Sequence, residues 1–275
     1  MDHSKGAGET ENVLLGFDRR VRLEFHGSKI SLDGGLLLFR ELDEVLGLHD
    51  TAGGLLMDTR TGQNRLHSLV GLLRQSVCGR LAGHDDVNDA DRLALDPVMR
   101  QVVGERAVDA KAASASQMGR FETEMLATAD NRAALADLSG HWIDRVHNRK
   151  PPKWITLGMD SSVSVTHGAQ EDTGWNGHFD CMCNHPLFVF NQFGHLERCA
   201  LRPGNVHSAD GWEVVLKPVI ARYADRHLMR FFQGDAAFTI PELYRTLEAE
   251  DYFYAIRLRA NRVLQSKIGI YSSAL

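Results

Sequence analysis

The chain comprises 275 residues (30.6 kDa) with 31 Lys+Arg against 36 Asp+Glu, a formal charge of −5 and a mean hydropathy of −0.25. That length suits one large domain or two modest ones, and a 43% hydrophobic fraction can build a core, which excludes a wholly disordered chain. No run nears the roughly 20 apolar residues of a bilayer span, and the polar opening Met1-Asp2-His3-Ser4-Lys5 is unlike a secretory signal, so a cytoplasmic location is expected.

The cysteines (Cys78, Cys181, Cys183, Cys199) are too few and scattered for a disulfide scaffold. Residues 1–150 hold 19 basic against 23 acidic groups and residues 151–275 hold 12 against 13. A small nucleic-acid-binding domain is often basic, yet 24 of the 31 basic residues are Arg, the type suited to bidentate phosphate contacts. Composition leaves the partner open.

In chain order, the first dozen residues read as frayed, and Val21, Leu23 and Phe25 alternate with charges as a short strand. Leu36 to Leu46 is a helical pattern closed by Gly47. Leu66, Leu69, Val70, Leu73, Val77 and Leu81 mark a second helix, stopped by Gly83. The polar stretch His84 to Asp91 is a loop or a helix start, and Leu93, Leu95, Val98, Met99 and Val102 mark a short helix. Ser114 and Gln117 match a capping box ahead of Met118, Phe121, Met125 and Leu126. Leu135, Leu138, Trp142, Ile143 and Val146 give one more amphipathic helix, which Pro151-Pro152 cannot continue.

Beyond Pro152 the period changes. Trp154 to Asp160 reads as a strand running on through Val163 and Val165; Phe179 to Phe190 is a second, broken near Pro186; Leu196 to Leu201 is a third. Their closeness favours an antiparallel meander. A helix from Ser208, a strand Leu228–Asp235, a helix opened by Pro241 and a strand Tyr252–Leu258 complete a β-β-β-α-β-α-β order.

Asp160 and Asp235 occupy comparable places, each at the end of an apolar strand. An ionised carboxylate is costly inside a sheet, but at a strand end it can face a cleft. Two of them on neighbouring strands can converge on a hard cation such as Mg²⁺, which takes carboxylates, waters and substrate phosphate. Turn capping or pairing with arginines is the alternative, and sequence pattern leaves both open.

A set of segments carries a resemblance: Gly158-Met-Asp160-Ser-Ser, His167-Gly-Ala-Gln170, Trp175-Asn-Gly-His178-Phe, His185-Pro-Leu-Phe188, Leu201-Arg-Pro-Gly-Asn-Val-His207, Gly234-Asp235-Ala-Ala-Phe238 and Tyr254-Ala-Ile-Arg-Leu258. Leu72-Leu-Arg-Gln75 and Gly83-His-Asp-Asp-Val-Asn-Asp89 extend it into the helical part. In this order they resemble DDE transposases of bacterial insertion sequences, over about residues 15 to 264. The resemblance implies an α/β fold class (α+β overall): a helical N-terminal domain followed by an incomplete ribonuclease-H-like mixed sheet. The expected divisions are a frayed start (1–16), a helical domain with a candidate DNA-binding role (17–150), the catalytic core (151–264) and an atypical tail (265–275).

The resemblance also implies that Asp160 and Asp235 are the first two catalytic acids and metal ligands, with Mg²⁺ or Mn²⁺ as cofactor. The implied partners are double-stranded DNA, as element ends and target, and further copies of the chain on that DNA. The location would be the bacterial cytoplasm, at the nucleoid when DNA-bound. The family's third acid is a Glu on a helix well downstream; Glu242, Glu248 and Glu250 fall in the wrong element, so the third acid is expected to be absent and the chain to be truncated and inactive alone. Two alternatives stand beside this: an inhibitory fragment that binds DNA ends without catalysis, and a metal-dependent nuclease of the same fold using a local third acid.

Other residues carry weaker readings. Cys181, Cys183 and His185 alternate along an expected strand and could hold zinc, but a strand face with small thiols is the simpler reading. His167 and Gln170 could contact DNA or shape a turn. Arg257, Arg259, Asn261 and Arg262 follow the last strand and either hold DNA phosphates or form a solvated strand end. Ser161 and Ser162 have no histidine in fixed relation to them and are weak nucleophile candidates.

Overall fold

The computed structural model describes residues 13–18, 20–23, 33–61, 65–168, 170–259 and 261–266. The frayed start expected over residues 1–12, Phe25 of the first expected strand, and the tail beyond Ser266 lie outside the described residues. Two compact units, Met1–Trp142 and Ile143–Leu275, divide the chain inside one long helix.

The first unit is helical. β1 (Val13–Leu14) pairs antiparallel with β2 (Arg22–Leu23). α1 (Leu36–Leu46) ends where expected, because Gly47 takes the left-handed conformation (φ 67°) and donates its N–H to the Asp43 carbonyl. α2 (Leu48–Leu55) follows directly; Gly53, Gly54 and a weak apolar stripe hide it in the sequence. α3 (Leu69–Leu81) starts at Ser68, whose hydroxyl accepts the Gly71 N–H at 3.0 Å, so Leu66 stands outside the helix it was expected to open.

The acidic stretch after His84 becomes a 3₁₀ turn, Val87–Asp89, running into α4 (Ala90–Leu93). The single helix expected over Leu93 to Val102 is two pieces. Asp96 caps a new helix and Pro97 opens it, giving α5 (Pro97–Val103). After the one-turn α6 (Arg106–Asp109), α7 (Ala115–Arg120) carries the expected Ser114–Gln117 capping box and then widens into a π-helical turn over Phe121–Leu126. α8 (Ala129–Arg149) closes the series.

Within this unit Asp43 is buried among cations. It accepts the His49 backbone N–H at 2.9 Å and lies 2.8 Å from the His49 ring and 3.2 Å from the Arg74 guanidinium. Burial alone would raise its carboxyl; the hydrogen bonds from His49 and the neighbouring positive charges outweigh that and hold it at about 2.

The second unit starts with β3 (Trp154–Ser161), followed by β4 (Ser164–Val165), β5 (Gly174–Asn176), β6 (Cys181–Asn184), β7 (Leu187–Asn191) and β8 (Leu196–Ala200). Next come α9 (Trp212–Tyr223), β9 (Met229–Gly234), α10 (Pro241–Ala249) and β10 (Phe253–Ile256). The main sheet has the strand order β10-β9-β3-β7-β8. β3, β7 and β8 form the expected antiparallel meander, while β9 and β10 run parallel to β3. Ile155, Leu157 and Met159 alternate onto one face of β3 and pack with Val215 and Leu216 of α9 and Leu243 and Leu247 of α10. Each fully buried side chain of this size contributes roughly 1.5–3 kcal/mol. The other face of β3 carries Thr156, Gly158 and Asp160.

Two expectations change here. β3 does not run on through Val165: Ser162 donates its N–H to the Pro186 carbonyl, and β4 pairs with β6 in a separate small sheet ordered β4-β6-β5. The break expected near Pro186 in the Phe179–Phe190 strand is present, but the halves belong to different sheets. Cys181–Asn184 belongs to the small sheet and Leu187–Asn191 to the main one, with Pro186, which has no N–H to donate, between them. The run Arg202 to Asn205 lies against the small sheet. A Cβ on Gly204 would stand 2.5 Å from the Cys183 carbonyl oxygen and 2.7 Å from its Sγ, so only glycine fits.

The helix expected from Ser208 begins at Trp212, after a turn in which Asp210 accepts the His207 N–H at 2.7 Å. Pro218 sits inside α9 and cannot donate to the Val214 carbonyl. Arg198 of β8 does so instead, through Nε at 3.2 Å.

Candidate active site

The parallel pairing of β3 with β9 positions both aspartates. Met159 is in register with Gly234, the last pair of that ladder, so Asp160 and Asp235 are the next step along two adjoining strands. β10 extends the row: Ile256 is in register with Gly234, and Arg257 donates its backbone N–H to the Gly234 carbonyl at 3.1 Å. Neighbouring strands lie about 4.8 Å apart. Asp160, Asp235 and Arg257 therefore stand side by side at the carboxyl ends of three parallel strands.

All three are exposed and line one open cleft of about 720 Å³, together with Gly158, Phe190 and Gln233. Asp160 Oδ1 accepts the Ser161 N–H at 2.8 Å, and Asp235 Oδ1 accepts the Ala237 N–H at 2.9 Å. Those bonds fix one oxygen of each carboxylate and leave Oδ2 of each without a partner among the described residues. Neither aspartate makes an ion pair among the described residues, so the pairing alternative with arginines does not occupy them. The turn-capping alternative does apply in part, since Asp235 caps the short 3₁₀ turn Ala236–Phe238.

The donor set suits a hard divalent cation: two carboxylate oxygens free on a solvent-filled cleft, with room for waters. It is a pair and no more. Among the described residues, no group of three or more His, Cys, Asp or Glu side chains could hold a metal. Glu248 accepts the Tyr254 hydroxyl at 2.8 Å, Glu242 pairs with Arg245 at 3.3 Å, and Glu250 ends α10. None of these glutamates lines the cleft.

Arg259 and Asn261 line a neighbouring cleft of about 400 Å³ with His207 and Ala237. Asn261 Oδ1 accepts the Leu264 N–H at 2.9 Å and so opens the helical turn over residues 262–266, which carries Arg262 outward. His167 and Gln170 lie in the loop between β4 and β5, where Gln170 donates to the His167 carbonyl at 3.4 Å, a turn role. Cys183 is buried, Cys181 is half-buried and His185 lies past the end of β6 with its Nδ1 3.2 Å from the Val206 carbonyl oxygen. Among the described residues, no histidine is bonded to the hydroxyl of Ser161 or Ser162.

Sequence reading missed two features. Gln233 shares the cleft because it lies two residues before Asp235 on the same strand face, a period-two signal that was available. Glu197 of β8 is completely buried, accepting from Asn191 Nδ2 at 2.6 Å and the Tyr223 hydroxyl at 2.8 Å and paired with Arg222. Burial pushes the Tyr223 phenol upward. This cluster braces β8 against α9 and had no sequence signal, since an isolated Glu in a strand reads as solvent-facing. The helical unit holds its own pocket of about 400 Å³, lined by Arg60, Arg65, Arg120 and Phe121, with Arg60 bound to Asp58 at 2.8 Å.

Comparison with curated proteins and with solved structures returned no match. A family model described as transposase DDE domain group 1 matches residues 13–275. That family implies a ribonuclease-H-like fold, action on DNA and divalent metal dependence in general, and the strand order of the main sheet agrees with the first. The chain belongs to the transposase DDE domain family, group 1.

Proposed function

We propose that the cleft of Asp160 and Asp235 is the site at which this transposase engages Mg²⁺, or Mn²⁺ in its place, and a phosphodiester at the end of a bacterial insertion sequence. The observation that carries this reading is the register: two carboxylates on adjoining strand ends, each with one free oxygen facing the same open space. A bound Mg²⁺ would supply charge stabilisation at the attacking and leaving oxygens of an in-line displacement.

The chain's own residues would do the rest. The Ser161 and Ala237 N–H groups hold the carboxylates in fixed orientation. Arg257, beside Asp235, offers a guanidinium to a non-bridging phosphate oxygen. In the family's reaction water attacks phosphorus and the bond to the 3′ oxygen breaks, leaving a 3′-hydroxyl that then attacks a target phosphodiester. The helical part up to residue 150 would contribute DNA contacts, residues 151–264 the chemistry, and copies of the chain would assemble on the DNA.

Two carboxylates hold a cation weakly, so the 275-residue chain by itself is expected to bind metal and DNA without cutting. Mn²⁺ titration followed by its own paramagnetic signal tests the site. Binding in the chain that is lost in both Asp160→Asn and Asp235→Asn supports it, and binding that survives both substitutions overturns it. Mg²⁺-dependent cleavage of element ends by this chain would sink the claim that it is inactive alone.

A further inference from the structure

We infer that the opposite end of the main sheet from the aspartates is a second DNA-contacting surface, one that grips the backbone of duplex DNA without reading its sequence. This inference rests on the transposase reading above and adds to it a place on the molecule. The residues at issue are 143–153, the end of α8 with the approach to β3, and 222–230, the end of α9 with the approach to β9. They carry seven Lys and Arg against two Asp, in a chain whose net charge is −5.

The fold brings the two segments together. Trp154 is in register with Met229, and the Met229 N–H donates to the Lys153 carbonyl at 3.3 Å. Asp144 of α8 takes Arg226 at 2.5 Å and Arg222 at 3.4 Å. That spends one of the two acids on two arginines. Lys150, Lys153 and Arg230 make no ion pair among the described residues; Arg230 lies with its guanidinium 5.6 Å from the Tyr252 ring centroid. Lys153, Asp225, Arg226, His227 and Arg230 line a shared open cleft of about 730 Å³, so one exposed carboxylate stands among these cations.

A surplus of Lys and Arg over Asp gathered at one place, in a chain of net negative charge, makes a local positive field that suits a polyanion. The polyanion is not the scissile phosphate. β3 and β9 run in parallel from this patch to Asp160 and Asp235, and eight residues of strand at about 3.3 Å each separate the two ends by roughly 25 Å. A duplex with a charge every 1.7 Å or so along its axis can reach both, with its cut point at the aspartates and a flanking stretch on the cations. The side chains gathered here are mainly lysine and arginine, which suit phosphate contacts, and such contacts position DNA and carry no sequence information.

The test is fluorescence anisotropy of the full 275-residue chain with a random-sequence duplex, in EDTA, across a range of salt. Lys150→Gln/Lys153→Gln/Arg230→Gln is compared with the parent and with Lys217→Gln/Arg245→Gln, which removes charge from α9 and α10 elsewhere. The expected result is a salt slope shallower by about 2–3, near 0.9 per lost phosphate contact, and at least a ten-fold loss of affinity on every duplex tried. The control should keep the parent's slope, and circular dichroism should show the triple variant folded. An unchanged slope in the triple variant, or an equal loss in the control, overturns the proposal. Because EDTA removes metal from the assay, Asp160→Asn/Asp235→Asn, which takes away two charges that repel phosphate, should bind at least as tightly as the parent; failure of the metal reading therefore leaves this readout intact. A parent chain that binds no duplex overturns the surface while leaving the Mn²⁺ titration of the aspartates to stand or fall alone.

Discussion

Asp160 and Asp235 stand one register step beyond Met159 and Gly234, the last paired residues of two adjacent parallel strands. Asp160 is still paired with Phe188 of β7, but both aspartate side chains are exposed while their Cα positions keep the sheet's spacing. That is how a sheet holds two like charges close together without burying either.

Arg257 is the third member of that row, and its charge opposes a metal cation. Arg257→Gln should therefore raise Mn²⁺ affinity at the aspartates while weakening duplex binding. Arg257 is exposed, so solvent and salt screen its charge and the rise should be modest, on the order of a few-fold in affinity. Parallel metal and DNA titrations of the variant check both signs; an unchanged Mn²⁺ affinity would place the Arg257 charge away from the pair.

Glu197 tests the bracing of β8 against α9. Glu197→Ala leaves the Arg222 guanidinium, the Tyr223 hydroxyl and the Asn191 amide without their shared acceptor. Breaking a buried pair from one side costs about 3–5 kcal/mol. Glu197→Gln keeps an acceptor and removes the charge, so its loss should be smaller. Urea unfolding followed by tryptophan fluorescence ranks the two.

Asp43 makes the helical unit acid-sensitive. Its carboxyl sits at about 2 in the folded chain against an ordinary value of 3.8, so the folded state favours the ionised form. The resulting stabilisation, about 2 kcal/mol, is present in full above the unfolded value and is lost as pH falls from near 4 toward 2. Asp43→Asn should be less stable than the parent at neutral pH and should show a flatter decline across that window. Thermal unfolding at pH 7, 4 and 3 measures it, and parallel declines in both proteins would refute the assignment.

Gly204 tests the seat of the small sheet. Gly204→Ala forces a methyl into the Cys183 backbone and thiol, and overpacking of this kind typically costs 1–3 kcal/mol. Asn176 Nδ2 also donates to the Gly204 carbonyl at 2.7 Å, so Asn176→Ala should loosen the same place. Proteolysis should then cut within residues 162–186 earlier than in the parent, with the main sheet persisting.

Much of the chain's order was legible in its residues. Gly47, Ser114 with Gln117, Pro241, and the alternation of Ile155, Leu157 and Met159 each act within a few residues, through φ preferences, caps and side-chain period. The β-β-β-α-β-α-β succession followed from these, and so did the choice of Asp160 and Asp235 as residues at strand ends. The readings failed where a local signal met a distant partner. The break near Pro186 was readable within Phe179 to Phe190, but not that its first half joins another sheet, against which the distant Gly204 packs. Leu93 to Val102 looks like one helix because the apolar spacing survives the bend that Asp96 and Pro97 impose.

Residue pattern alone could name the two aspartates, but not put them beside each other. Their adjacency depends on the parallel register between β3 and β9, which are joined through the whole stretch from Ser162 to Leu228, and a one-residue slip would send one carboxylate to the opposite face. The same holds for Glu197 and for the cations at 143–153 and 222–230. Their charged partners come from other elements of the fold, Arg222 for Glu197 and Asp144 for Arg226, so only the packed sheet and its helices determine which charges are neutralised and which are left facing solvent.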